Sequence, residues 1–111
     1  MAAFRCKDKD GIEVICDQDT WENHIVAEHP EMQGCEAYVT ASVHNPYQIY
    51  QDSNDLQRKI IYKPFVLPKP YDRQYLRIAI DYHKSKRVAY IRTAFPCMNK
   101  KMGDILIWEK Q

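Results

Sequence analysis

Residues 35–50 spell CEAYVTASVHNPYQIY, and the repeat of the chain changes inside that stretch. Cys35, Tyr38, Val39, Ser42 and Val43 fall at i, i+3, i+4, i+7 and i+8, the stripe of a helix that buries one side. Asn45-Pro46 stops it, because proline pushes the residue before it out of the helical region. Beyond Pro46 the period is two. Tyr47–Tyr50 and Ile60–Val66 look like strands, the second interrupted by Pro64 and so expected at an edge or bulge. Tyr75–Tyr82 alternates cleanly, with Leu76, Ile78, Ile80 and Tyr82 on one face and Arg77, Ala79 and Asp81 on the other. Val88–Phe95 is a run of β-formers, and Ile105–Trp108 is a last short strand.

Upstream of the switch, Phe4–Cys6 and Ile12–Cys16 flank Asp10-Gly11, a strong turn dipeptide, and predict a short hairpin. Asp19 or Thr20 then caps a helix that runs to His29, with Glu22 favourably placed in its first turn. The expected fold is therefore α+β: an N-terminal hairpin, helices at 20–29 and 35–44, then an antiparallel sheet of about four strands, mainly from 59–95. A chain of 111 residues suits one domain, 1–111.

Composition is that of a globular protein, 45% hydrophobic and 28% charged, with too few Gly and Pro for wholesale disorder. No apolar run is long enough to span a bilayer, so no membrane is expected as a partner. Nor does the N-terminus carry the apolar core of a secretory signal, so the cytoplasm is the expected location. Cys6, Cys16, Cys35 and Cys97 show no C-x-x-C spacing and are expected as reduced thiols. The net charge of +1 conceals a dipole: residues 1–57 hold 3 basic and 11 acidic side chains, residues 58–111 hold 13 and 4. The basic half could offer a surface to phosphates, or simply neutralise the acidic half across the fold.

The chemistry concentrates in HIVAEHP, residues 24–30. Helical zinc motifs place two histidines at i and i+4. His24 and His29 are one residue further apart, about 140° around a helix that turns ~100° per residue, so no metal and no cofactor is expected. His24 lies on the same stripe as Trp21, Ile25 and Glu28, which suits either a core histidine or an acid–base group. His29, in the last turn, suits either a carbonyl cap or a proton-transfer group.

Five segments in order, TWENHIVAEHPEM (20–32), HNPYQIYQDS (44–53), KIIYKPF (59–65), YLRIAIDY (75–82) and VAYIRTAF (88–95), resemble the phage-associated branch of the barnase–EndoU–colicin–RelE-like (BECR) ribonucleases. Shared features are a Trp-x-x-His-Ile helix start, a following His-Pro, an Asn-Pro after the second helix and a late strand ending Thr-Ala-aromatic. The chain departs from the pattern in its extra N-terminal hairpin and its acidic first half. The resemblance implies two helices followed by a four-stranded antiparallel sheet, and metal-independent RNA cleavage. It points to His24 and His29 on the helix side and to Arg92 and Thr93 on the sheet side as catalytic residues.

On chemistry alone, Arg58, Arg77, Tyr62 and Tyr90 join them as RNA-binding candidates. Cleavage of RNA without metal needs a base for the 2′-hydroxyl, a donor for the leaving 5′-oxygen and cations around the phosphate. Histidine suits either proton role near neutral pH, and arginine offers a planar, permanently charged fork. Thr93 could donate to the same oxygens, and Tyr62 or Tyr90 could stack a splayed base. The plainer alternatives are a solvated strand face for Arg77 and Arg92 and an ordinary β-former for Thr93. The expected function is a small toxin-like endoribonuclease. Its implied partners are RNA and a cognate antitoxin or immunity protein. The alternative is a catalytically inactive member of the same fold that binds RNA or protein.

Overall fold

The structure, a computed structural model, describes all of residues 1–111. Strands β1 (Ala2–Lys7) and β2 (Glu13–Asp17) form the hairpin, followed by a π-helix (Thr20–Val26), a 3-10 turn (Pro30–Met32) and helix α1 (Glu36–His44). Then come β3 (Gln48–Gln51), β4 (Arg58–Pro64), β5 (Tyr75–His83), β6 (Val88–Cys97) and β7 (Ile105–Glu109). All seven strands share one sheet, in the order β1-β2-β6-β5-β4-β3-β7. Every neighbouring pair is antiparallel except β2 and β6, which run parallel with Glu13 beside Val88 and Ile15 beside Tyr90.

This corrects the expected sheet of about four antiparallel strands. The fold is α+β, but its sheet is seven-stranded and mixed. Alternation reports which residues share a face and is silent on which strand lies beside which. The hairpin does not stand apart. Val14, Ile15 and Cys16 are all buried, the mark of a strand covered on both faces, and β2 lies inside the sheet between β1 and β6, with Val14 and Cys16 in the main core. Likewise β7 closes on β3 at the far edge. Pro64 does not make β4 an edge strand. It is the last residue of an interior strand, where its missing N–H costs least.

One face of the sheet carries the main core. Leu76, Ile78, Ile80 and Tyr82 from β5 and Ala89, Ile91 and Ala94 from β6 meet Trp21 and Ile25 of the π-helix, Met32, and Val39 and Val43 of α1. A second, smaller cluster on the opposite face joins Ile60, Tyr62 and Ala79. Over it passes the connection between β6 and β7, where the Lys101 N–H donates to the Tyr62 hydroxyl at 3.0 Å. The Lys100 ammonium lies over the rings of Tyr75 at 5.0 Å and Tyr50 at 5.9 Å. No helix is long and apolar enough to cross a membrane.

Two local irregularities matter for the site. Bonding from i to i+5 winds extra residues into the first helix, a rare geometry that recurs at functional sites. Strand β6 carries a bulge: Thr93 faces Ala79 and Ile91 faces Ile80, so Arg92 has no partner on β5. A bulge of this kind re-aims the unpaired side chain.

Candidate functional site

Between the π-helix and β6 lies a cleft of about 360 Å³ lined only by polar side chains: Asp19, Thr20, His24, Glu28, Arg92 and Thr93. The helix supplies one wall and the bulged strand the other.

On the helix wall, His24 is not a core residue. Its side chain is 61% exposed, while Trp21 and Ile25 are buried. The stripe that an α-helical repeat predicts is broken by the π turn. Residues five apart would lie about 140° apart in an α-helix, yet i→i+5 winding brings Asp19 beneath His24, its Oδ2 3.6 Å from the imidazole Nε2. The carboxylate can orient the ring. Neither Asp19 nor Thr20 is singled out by the sequence except as a helix cap, and Glu28 only as a polar neighbour.

On the strand wall, the bulge turns Arg92 outward with its side chain 58% exposed. Its Nε lies 3.4 Å from Asp81 Oδ2. Arg58 grips the same carboxylate through Nε at 2.8 Å and Nη2 at 3.2 Å. Thr93, half-buried, sits beside Arg92. Asp81 thus anchors Arg92 at the cleft mouth. The signal for this was present, since the alternation puts Arg77, Ala79 and Asp81 on the polar face of β5.

The structure separates the remaining candidates from the cleft. His29 does not line it: its ring stacks on Phe95, with centroids 4.6 Å apart and planes 18° apart, and its Nδ1 is 3.8 Å from Glu31 Oε2. The Arg77 guanidinium covers the same Phe95 ring at 5.3 Å and its Nε reaches the Tyr62 hydroxyl at 3.4 Å. Tyr62 is 1% exposed, so its ring offers no surface to a base. Arg58 is committed to Asp81, and this hydrogen bond, outweighing partial burial, raises its pKa. Tyr90 is half-buried, edge-on to His83 at 5.5 Å.

All four cysteines are free thiols. Burial, then the charge of Asp8, pushes Cys6 up to about 11. Burial, then Asp17, Cys6 and Glu36, pushes Cys16 up to about 12. Neither is a nucleophile poised at neutral pH. No three His, Cys, Asp or Glu side chains converge as metal ligands. The cleft therefore offers proton transfer from an imidazole held by a carboxylate, a second carboxylate in Glu28, and a guanidinium and hydroxyl on the facing wall for an anion. No protein-family model, curated protein or solved structure matches the chain.

Proposed function

We propose that the chain is a small, metal-independent, toxin-like endoribonuclease whose active site is the cleft between the π-helix and β6. The observation that carries this reading is the opposition of His24, paired with Asp19, to Arg92 and Thr93 across one polar cleft. An RNA phosphodiester seated there would be approached by proton-transfer groups from one side and by a cation from the other. Glu28 takes the proton of the 2′-hydroxyl, and O2′ attacks phosphorus. As the O2′–P bond forms, the P–O5′ bond breaks and His24 delivers a proton to O5′, leaving a 2′,3′-cyclic phosphate and a free 5′-hydroxyl. Arg92 and Thr93 hold the non-bridging oxygens as their charge grows.

The motif resemblance to phage-associated BECR ribonucleases supports the same chemistry, although the mixed seven-stranded sheet is not the sheet that resemblance implied. Such an enzyme would work in the cytoplasm and be restrained by a cognate antitoxin or immunity protein. The two carboxylates on the helix wall favour a second reading, a catalytically inactive module that binds RNA or protein, because they repel an entering phosphate. Digestion of unstructured RNA in EDTA decides between them. Cleavage by the wild type, lost in His24→Ala and Arg92→Ala, supports the enzyme. Salt-sensitive RNA binding without cleavage supports the inactive module, and cleavage that requires a divalent ion overturns the mechanism.

A further inference from the structure

Phe65 combines two costly features. Its φ is +61°, in the left-handed region that bulky residues avoid, and its side chain is 73% exposed. Burial does not compensate the strain. The ring instead lines a cavity of about 300 Å³ with Tyr47, Arg73, Gln74, Tyr75 and Met98. Together with Pro64, the lining combines three aromatic rings and a polarizable thioether with one cation and one amide. The lining contains no carboxylate, and Arg73 has no acidic partner within ion-pair distance anywhere in the fold. Lys100, over the Tyr75 ring, adds a second positive charge at the border.

We infer that this cavity is a base-stacking subsite for one nucleotide of a single-stranded RNA. Stacking on an exposed aromatic ring needs a planar ligand, and an unpaired guanidinium beside it needs an anion. A nucleobase with its phosphate supplies both. Gln74, which can donate and accept, is suited to a base edge. The left-handed backbone at Phe65 then has a use: it holds the ring out from the strand end, ready for stacking.

The cavity sits where β5 begins and β6 ends, whereas the cleft sits at Arg92 and Thr93. Four residues of strand, about 13 Å, separate Thr93 from Cys97 along β6, and Pro64, next to Phe65, lies two strands across from Cys97, about 10 Å, so a few nucleotides could occupy both. The inference rests on the ribonuclease reading for the identity of the polymer. It assigns the contact that holds the strand away from the scissile bond.

The test uses a short unstructured 2′-O-methyl RNA, which lacks the attacking hydroxyl, and adenosine 5′-monophosphate as separate probes. Wild type should bind the oligonucleotide well above the mononucleotide. Phe65→Gly should weaken oligonucleotide binding about tenfold, the scale of one lost base stack, while its melting temperature holds or rises because glycine relieves the backbone. Arg73→Gln should weaken binding and flatten its salt dependence. Unchanged affinity in Phe65→Gly, or a marked fall in its melting temperature, overturns the subsite, and mononucleotide binding as tight as the oligonucleotide's overturns its place on a strand. Cleavage of ordinary RNA is read separately. Cleavage with no Phe65 dependence leaves the cleft standing and removes the subsite. Phe65-dependent binding without cleavage does the reverse.

Discussion

Arg92 Nε lies 3.4 Å from Asp81 Oδ2, on a carboxylate that Arg58 already holds with two bonds. One acid thus ties an interior strand pair to the side chain at the mouth of the cleft. Asp81→Asn should lower stability by about 1–2 kcal/mol, because the half-buried Arg58 loses its charged partner. The same change should slow RNA cleavage by less than Arg92→Ala does, since the guanidinium remains but loses its anchor. Urea denaturation and initial rates on one RNA check both parts. An Asp81→Asn rate at or below that of Arg92→Ala would show that Asp81 does more than position.

Arg92→Ala should cost roughly 10²–10³-fold in cleavage rate, the loss of one donor to the transition state. Its stability should stay within about 0.5 kcal/mol of wild type, as for an exposed side chain.

The two histidines should behave differently. His24→Ala should abolish cleavage with little change in melting temperature. His29→Ala should keep most of the cleavage rate and lose about 0.5–1.5 kcal/mol of stability, the worth of an aromatic stack such as that with Phe95. Equal loss of activity in both variants would contradict the separation seen in the fold.

Asp8 is buried, and its carboxylate accepts from the backbone N–H groups of Asp10 and Ile12, both at 2.9 Å, and from the Tyr82 hydroxyl at 2.9 Å. It ties the turn of the first hairpin to β5. Asp8→Ala should cost about 2–3 kcal/mol and Tyr82→Phe about 1–2 kcal/mol, the latter by leaving a buried acceptor oxygen unpartnered. A Tyr82→Phe protein as stable as wild type would show that solvent reaches that oxygen.

Alkali should unfold the protein through its buried acids. Burial first, and the Asp8 charge second, raise the Tyr82 pKa above its ordinary value; Cys6 rises to about 11 and Cys16 to about 12. Below about pH 8.5, the ordinary thiol value, folded and unfolded chains both keep these protons and stability does not depend on them. Above it the unfolded chain ionises first while the native thiols hold their protons, so the native state binds more protons and stability falls as pH rises. The urea midpoint should drop steadily from pH 8.5 towards 11, and Cys16→Ala should flatten that slope. At pH 8 a thiol reagent should modify native Cys6 and Cys16 far more slowly than the unfolded chain.

Local periodicity made much of this fold legible. The stripe from Cys35 to Val43 is α1, the alternation from Tyr75 to Tyr82 is β5, and Ile105–Trp108 lies within β7. Long-range pairing was not legible, because nothing in EVICD names Val88–Tyr90 as its neighbour. The cleft divides in the same way. His24, Arg92 and Thr93 were visible as residue types, but their meeting depends on a π turn and a bulge, each a one-residue shift in register without a composition signature. Tyr62 shows the converse. Its place in a strand was readable, but the 98–104 connection that covers it was not.

The parallel seam between β2 and β6 sets a schedule for the ribosome. Residue 13 pairs with residue 88, so β2 must wait until β6 has been made before its neighbour exists. Until then Val14 and Ile15 have no lasting cover, and closing so long a loop is an entropic cost that precedes any gain. The β1–β2 hairpin is therefore the stretch most exposed to a chaperone or to misassociation. The cleft, with its helix wall near the start of that long loop and its strand wall just after it, comes into being only once β6 has been made and docked.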